Sequence, residues 1–491
     1  MPKFRRHRQH INVPELLRMV AFLLLIEAGF MIVPLAAALC FGETDAASFA
    51  VSIAITVSAS AAILCLSRPR RKDLGKRDGI LLTASVWVVF SLFGMIPFML
   101  SAVPLSPVDA FFESMSGFTT TGASVIPDIE ILPKSILIWR CMMQWVGGIG
   151  IVIFTIALLP ALNSSGGMQM FNAELSGITH DKIKPRISQT AIRLWGIYAA
   201  LTIALCLVLW AGPMDLFDSI CHSFSTVSTG GFSTRNASIG AWDSMYVRIA
   251  VLIFMFLGGV SFALMYRVST GKIRMALRDE NFRQYVAIII AVTAFITVVL
   301  LITQKYSGLK QVLVDPLFQV VSMITSTGYT VDNLSNWSEV IMPILLLLMF
   351  TGACAGSTSG GAKVDRIIYL WKNSRNELHR MVHPNRYYPL TINGQVKSTE
   401  VIDKVTSFLW FYAAMVVVGG IILTIFNIPL NEAFFSSFTC IGNTGLGTGS
   451  MAASFTDVPD GAKLVMAALM LIGRLEIFTI IILFTRAFWK K

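Results

Sequence analysis

Four stretches of this chain align on one another without a gap. They read DAFFESMSGFTTTGAS (109–124), DSICHSFSTVSTGGFS (218–233), DPLFQVVSMITSTGYT (315–330) and EAFFSSFTCIGNTGLG (432–447), in register on Gly122, Gly231, Gly328 and Gly445. Thirteen residues before each glycine stands an acid: Asp109, Asp218, Asp315 and Glu432. Ten before it are Phe112, Cys221, Phe318 and Phe435, and six before it are the hydroxyls Ser116, Ser225, Ser322 and Thr439. Each stretch lies between long apolar segments, too short to cross a bilayer and too apolar for an ordinary loop. An internal repeat of this kind constrains the fold before any single motif does.

The apolar segments make the chain an integral membrane protein. It is 55% hydrophobic and 14% charged, against about 25% charged in soluble domains. Ten segments read as spans: roughly 14–41, 48–67, 79–103, 134–161, 187–212, 243–266, 285–304, 338–370, 403–428 and 461–487. Without water to satisfy the backbone, such spans must be helical. The first is too long for a cleavable signal peptide. Most of the 39 Lys and Arg residues fall on one side if the N-terminus is cytoplasmic. They cluster in the N-terminus (Arg5, Arg6, Arg8), near 68–78 (Arg68, Arg70, Arg71, Lys72), in 163–186, 267–284 and 371–402, and at the C-terminus. The positive-inside rule then places both termini in the cytoplasm. Every basic run abuts a span, which favours contact with anionic membrane lipid over nucleic acid.

Each unit reads as span, half-helix, Gly/Thr-rich extended segment, span. The acid marks the start of the half-helix, where it would cap free N–H groups and suit the positive end of the helix dipole. In the first copy the half-helix is expected from near Phe112 to Thr119. Extended backbone at membrane depth survives only where it is buried or lines a wet cavity. Four such segments around an axis make a ring of carbonyls able to replace the hydration shell of a monovalent cation. The fold expected is an all-α integral membrane protein: four span–pore-loop–span repeats around a pseudo-fourfold pore, plus an N-terminal peripheral helix pair. The divisions are 1–78, 79–185, 186–284, 285–399 and 400–491, the pair and its basic loop first and then the four repeats. FGETDAA (41–47) reads as a tight connection within the pair.

These four loops, with GACAGSTSGGAKVDR (352–366) and GRLEIFT (473–479), resemble the Trk/Ktr/HKT superfamily of potassium transporters over nearly the whole chain. That superfamily includes TrkH, TrkG and KtrB of bacteria and the HKT proteins of plants, and the extra N-terminal pair resembles its TrkH branch. The resemblance implies potassium uptake across the bacterial inner membrane, with K+ as the transported ion and no bound cofactor. It implies a homodimer on a cytosolic nucleotide-binding ring like TrkA. The filter would comprise Thr120, Thr121 and Gly122; Thr229, Gly230 and Gly231; Ser326, Thr327 and Gly328; and Asn443, Thr444 and Gly445. In that family glycine at the first filter position of each repeat accompanies potassium selection, and serine in the first repeat accompanies sodium permeation in some plant members. Here all four are glycine. The strands are otherwise unlike, so selectivity weaker than that of a symmetric tetrameric channel is expected.

The run 352–361 holds Gly352, Gly356, Gly360 and Gly361 with Ser357, Thr358 and Ser359 in the middle of a span. Such a run cannot hold a continuous helix, so a broken span with a loop at membrane depth is expected. By resemblance this loop is the gate below the filter, and Arg474 faces the pore beside it. A charge in the last span costs a few kcal/mol unless paired or wet; the alternative for Arg474 is a salt bridge to an acid such as Glu113. Lys363 is expected to snorkel to the cytoplasmic face, and His222 to be buried and hydrogen-bonded. Seven cysteines without metal-ligand spacing read as small buried hydrophobes. GSTSGGAK (356–363) lacks phosphate-loop spacing, and no nucleophile or metal cluster suggests an enzyme. A potassium symporter coupled to protons or sodium is the second reading; few acids lie within the spans, and Glu27 in the N-terminal pair is one.

Overall fold

The computed structural model describes residues 11–67, 75–148, 150, 187–303, 310–332, 337 and 340–490. The basic runs at 1–10 and 68–74, the loop 163–186 and the second half of the span expected at 134–161 lie outside them.

Helices α1 (Val13–Phe41) and α2 (Ala46–Leu66) form the N-terminal pair. They are less detached than expected, because α1 packs on the first repeat's helices α3 (Lys76–Gly94) and α6 (Lys134–Gly148). The short connection between them is a clasp. Glu43 accepts the backbone N–H of Lys134 at 2.7 Å and of Ser135 at 3.1 Å, taking two of the free donors at the start of α6. Asp45 accepts the N–H of Ala102 at 2.7 Å, beyond α4 (Ile96–Leu100).

The four half-helices are α5 (Pro107–Phe118), α8 (Leu216–Val227), α12 (Asp315–Ile324) and α16 (Leu430–Ile441). The first begins earlier than expected because Pro107 suits the first helical turn and Ser106 caps it, accepting the N–H of Asp109. Asp215 caps α8 in the same way. The four aligned acids are therefore not the caps. They lie in the first turn, at the positive end of the dipole, and their carboxylates reach sideways. Asp109 pairs with Lys463 at 2.6 Å, Asp315 with Arg248, Asp218 with the half-exposed Arg235 at 3.3 Å, and Glu432 accepts the Ser450 hydroxyl at 2.5 Å. Arg248 and Lys463 are each the fourth residue of the span that follows a pore loop, in α9 (Met245–Gly258) and α17 (Asp460–Arg474). Each holds the half-helix of the next repeat round.

The leading spans of repeats two to four are α7 (Ile187–Trp210), α11 (Glu280–Ile302) and α15 (Thr399–Ile425). Their trailing spans are all interrupted. The break expected in repeat three separates α13 (Ile341–Thr351) from α14 (Val364–Val382). The spans expected to run unbroken at 243–266 and 461–487 are also bent. α9 turns by 103° into α10 (Phe262–Ser269), and α17 by 109° into the segment beginning with α18 (Phe478–Ile481). In repeat two the reason is visible: Cys354 donates to the carbonyl of Gly259 at 3.1 Å and Phe262 to that of Gly356 at 3.0 Å. Backbone from repeat three occupies the bonds an unbroken helix would have made. In repeat four the bend falls where Glu476 takes a left-handed conformation (φ 49°) and pairs with Arg366 of α14.

Six helices of the described residues are long and apolar enough to cross a membrane, and eight if each bent pair counts as one span. The only β-ladder among those residues joins Thr391–Ile392 to Gln395–Val396 across an Asn-Gly turn that bonds the start of α11.

Candidate functional site

All four half-helices end in the same way. The residue two before the aligned glycine is left-handed although it is never glycine: Thr120 (φ 55°), Thr229 (φ 53°), Ser326 (φ 52°) and Asn443 (φ 50°). Its N–H donates three residues back, to Gly117, Thr226, Met323 and Cys440, at 3.0–3.2 Å. The next N–H donates five residues back, to Ser116, Ser225, Ser322 and Thr439, at 2.8–2.9 Å. This paired bonding is the Schellman ending, with the left-handed residue just past the last turn. The glycine that follows is left-handed again, with φ between 77° and 86° in all four copies. Residues 121, 230, 327 and 444 between them are not, so the hand alternates along each strand.

The glycines also set the order of the strands. A Cβ on Gly122 would fall on the carbonyl oxygen of Gly230, one on Gly231 on that of Thr327, one on Gly328 on that of Thr444, and one on Gly445 on that of Thr121. The ring therefore runs one, two, three, four and back to one. At every step a glycine α-carbon abuts a carbonyl of the next strand. Any larger residue would push the ring apart.

In repeats three and four the hydroxyl column holds the far side of the glycine. Ser322 donates to the carbonyl of Tyr329 at 2.8 Å, and Thr439 accepts the N–H of Leu446 at 3.0 Å, each one residue past the glycine. Beyond the glycine of the first strand lies a buried ion pair. Arg140 reaches Glu113 at 2.8 Å, the Ser124 hydroxyl at 3.1 Å and the Ser233 carbonyl at 3.3 Å. Glu113 therefore serves Arg140, and the bridge from Arg474 to Glu113 is not formed. His222 is buried as expected, its ring nitrogens 2.8 Å from the Asp218 carbonyl and 3.0 Å from the Ser233 hydroxyl.

The glycine run 352–361 forms a loop packed against the half-helix ends. Gly352, Gly356 and Gly361 are left-handed. Thr358 donates to the carbonyls of Val227 at 3.2 Å and Gly258 at 3.1 Å, in repeat two. Gly360 donates to the Ser326 hydroxyl of repeat three at 2.5 Å, and a Cβ on it would strike the Gly442 carbonyl of repeat four. Repeat one is reached through Arg474. Its guanidinium donates to the Thr358 carbonyl at 3.1 Å, to the Thr120 hydroxyl at 3.2 Å, and to the carbonyls of Gly147 and Gly148 at 2.5 and 2.9 Å. One arginine thus bridges loop, first strand and first trailing span. Within the loop, the Ser359 hydroxyl accepts the N–H of Ala353 at 3.1 Å, and Ser357 donates to the Cys354 carbonyl at 2.6 Å. Lys363 does not reach for the membrane surface; its ammonium donates to the Ser359 carbonyl and so closes the loop.

Three features were not among the expected site residues. Gly147 and Gly148 let the first trailing span touch the half-helix ends, since a Cβ on either would meet Phe118 or Ser228. Gln144 is buried against the second strand. A Gly-Gly pair and a lone amide in an apolar run were their only marks in the sequence.

Comparison with known proteins agrees with this architecture. A family model described as TrkH, cation transport protein, matches residues 46–491. The chain is 37% identical to the Trk system potassium uptake protein TrkH of Escherichia coli strain K12, over 96% of this chain and 99% of that protein. It is 38% identical to TrkH of Halomonas elongata, over 98% and 100%, and 32% identical to TrkG of Escherichia coli, over 98% and 99%. The crystal structure of the potassium transporter TrkH from Vibrio parahaemolyticus superposes with a TM-score of 0.88 at 35% identity, covering 97% of this chain and all of that one.

Proposed function

This chain belongs to the TrkH family of cation transport proteins, and from that premise we propose that it is a potassium uptake protein whose ion path is the ring of four strands. Residues 120–122, 229–231, 326–328 and 443–445 form the filter, and the loop 352–361 with Arg474 forms the gate. Potassium is the ion named for the relatives in both Escherichia coli and Halomonas elongata. Glycine at all four aligned positions suits a large monovalent ion, because a side chain there would displace the neighbouring carbonyl. Uptake is driven by membrane potential, about 2.3 kcal/mol per charge per 100 mV. The protein lies in the bacterial cytoplasmic membrane with both termini inside, and repeats 79–185, 186–284, 285–399 and 400–491 act as its pore-forming units.

One observation carries the gate assignment: the loop 356–361 is hydrogen-bonded to the half-helix ends of repeats two and three, abuts that of repeat four, and is joined to that of repeat one by Arg474. Backbone in that position stands in the path of anything passing the ring, and the Arg474 charge beside it repels cations. The apolar residues Trp371, Leu378 and Met381 of α14 are exposed. They suit either the second protomer of a homodimer or a cytosolic nucleotide-binding ring.

The test is rubidium flux into liposomes holding the purified protein, under an imposed voltage and without a proton or sodium gradient. Sustained voltage-driven uptake is expected. Coupled symport is the second reading, and one observation favours it: Glu27 is buried in α1 and neither carboxylate oxygen has a hydrogen-bond partner among the described residues. Uptake that requires a proton or sodium gradient would select that reading.

A further inference from the structure

The second strand differs from the other three in one position, and a side chain from another repeat occupies the difference. The residue before the aligned glycine is Thr121, Thr327 or Thr444 in strands one, three and four, but Gly230 in strand two. In strands one and three that threonine hydroxyl bonds the hydroxyl two residues back, Thr119 or Thr325, at 2.8 Å. Strand two has no such hydroxyl. In its place lies the carboxamide of Gln144, from α6 of repeat one. A Cβ on Gly230 would meet the Gln144 Cδ, Oε1 and Nε2 and no other residue among its nearest contacts.

The carboxamide is bonded to the strand at both ends. Its Nε2 donates to the Gly230 carbonyl at 2.7 Å, and its Oε1 accepts the Ser225 hydroxyl at 2.6 Å and the Phe232 N–H at 3.1 Å. Ser225 belongs to the hydroxyl column and Phe232 is the residue past the glycine. In repeats three and four the equivalent hydroxyl and backbone groups bond each other directly. Gln144 is therefore spliced into a link that those repeats make without help, and it adds a bond to the ring carbonyl that abuts Gly122. All of these groups are buried, so a bond left unmade has no water to replace it.

We propose that Gln144 is a positioning residue for ion selection: its carboxamide holds the Gly230 carbonyl and joins Ser225 to the Phe232 backbone, the link that repeats three and four make through their own Ser322 and Thr439 hydroxyls. The inference rests on the reading of these strands as the filter. Gln144 and Gly230 then form one functional unit, in which the missing side chain of one makes room for the other.

Single variants and one paired variant test it, using the full chain in liposomes and comparing rubidium with sodium flux. Gln144→Met keeps the length of the side chain and removes its bonds. It should elute as a monodisperse protein, yet lower the rubidium-to-sodium ratio about tenfold, the effect of one or two unmade buried bonds. Gly230→Thr alone should lose rubidium flux, because its side chain collides with Gln144. The double variant Gln144→Ala with Gly230→Thr should recover most of both flux and ratio, the non-additivity of residues that share one site. Gln144→Met with an unchanged ratio would overturn the proposal. So would a double variant no better than its worse parent, even if Gln144→Met failed to fold. Gly328→Ser, in a strand Gln144 does not touch, separates the two levels. If it alters the ratio while the Gln144 variants do not, only the positioning role fails. If it too leaves the ratio unchanged, the filter reading falls.

Discussion

The ring of strands and the loop beneath it are both non-helical backbone at membrane depth, and they are held by opposite means. The ring is held chiefly by backbone. Each strand repeats the same two N–H bonds, the same left-handed pair and the same glycine-to-carbonyl contact with its neighbour. The loop exists once, and much of its hold on the ring passes through side chains: the Thr358 and Ser326 hydroxyls and the Arg474 guanidinium. Four interlocked copies resist displacement, because moving one strand breaks contacts on both sides. A loop tied by a few polar side chains has fewer contacts to break, which is what the proposed gate requires and the proposed filter does not.

Breaking the ring should have the largest effect. Gly231→Ala puts a Cβ onto the Thr327 carbonyl in a left-handed conformation, and rubidium flux in liposomes should fall by about two orders of magnitude or more, a loss of roughly 3 kcal/mol or more. Normal flux from a well-expressed Gly231→Ala protein would mean that the ring does not carry the ion. Removing the loop should act in the opposite direction. Deletion of 356–361 is expected to raise flux about tenfold, equivalent to removing roughly 1.4 kcal/mol of barrier; a folded deletion with unchanged flux would end the gate assignment. Arg474→Ala takes away one of several ties and one repelling charge. A rise of about threefold is expected, smaller than for the deletion, since the Thr358 and Gly360 bonds remain; lower or equal flux at normal expression would leave Arg474 a structural brace. The smallest effect is expected outside both regions. Arg235 is half-exposed in its pair with Asp218, so Arg235→Ala should change thermal stability by less than about 1 kcal/mol and leave flux alone. A large loss of selectivity there would show that the ring is less self-sufficient than its bonding implies.

Much of this was legible along the chain. Spans follow from apolar length, and half-helices from an acid, an apolar turn and a Thr/Gly stop. The broken span at 352–361 follows from four glycines that no helix tolerates. What escaped has a common character. The acids were visible as a column, but Ser106 and Asp215 took the caps of the first two half-helices and no side chain caps the third, and the carboxylates went to Lys463, Arg235 and Arg248. The bends after Gly258 and Arg474 were missed because flanking sequence that apolar reads as continuous helix. Gln144 was missed because a single amide in a span has no period or motif to announce it.

Information of the first kind is local. A left-handed glycine, a Schellman ending or an apolar run depends on residues within one or two turns, and the four copies repeat it often enough to be read from composition and spacing. The order of strands around the ring, the pairing of Arg140 with Glu113, and the seating of Gln144 in the space left by Gly230 join residues from 27 to 86 positions apart or more. With four nearly equivalent repeats, local chemistry offers each such side chain several similar partners. Close packing, which leaves room for one and not the others, makes the choice.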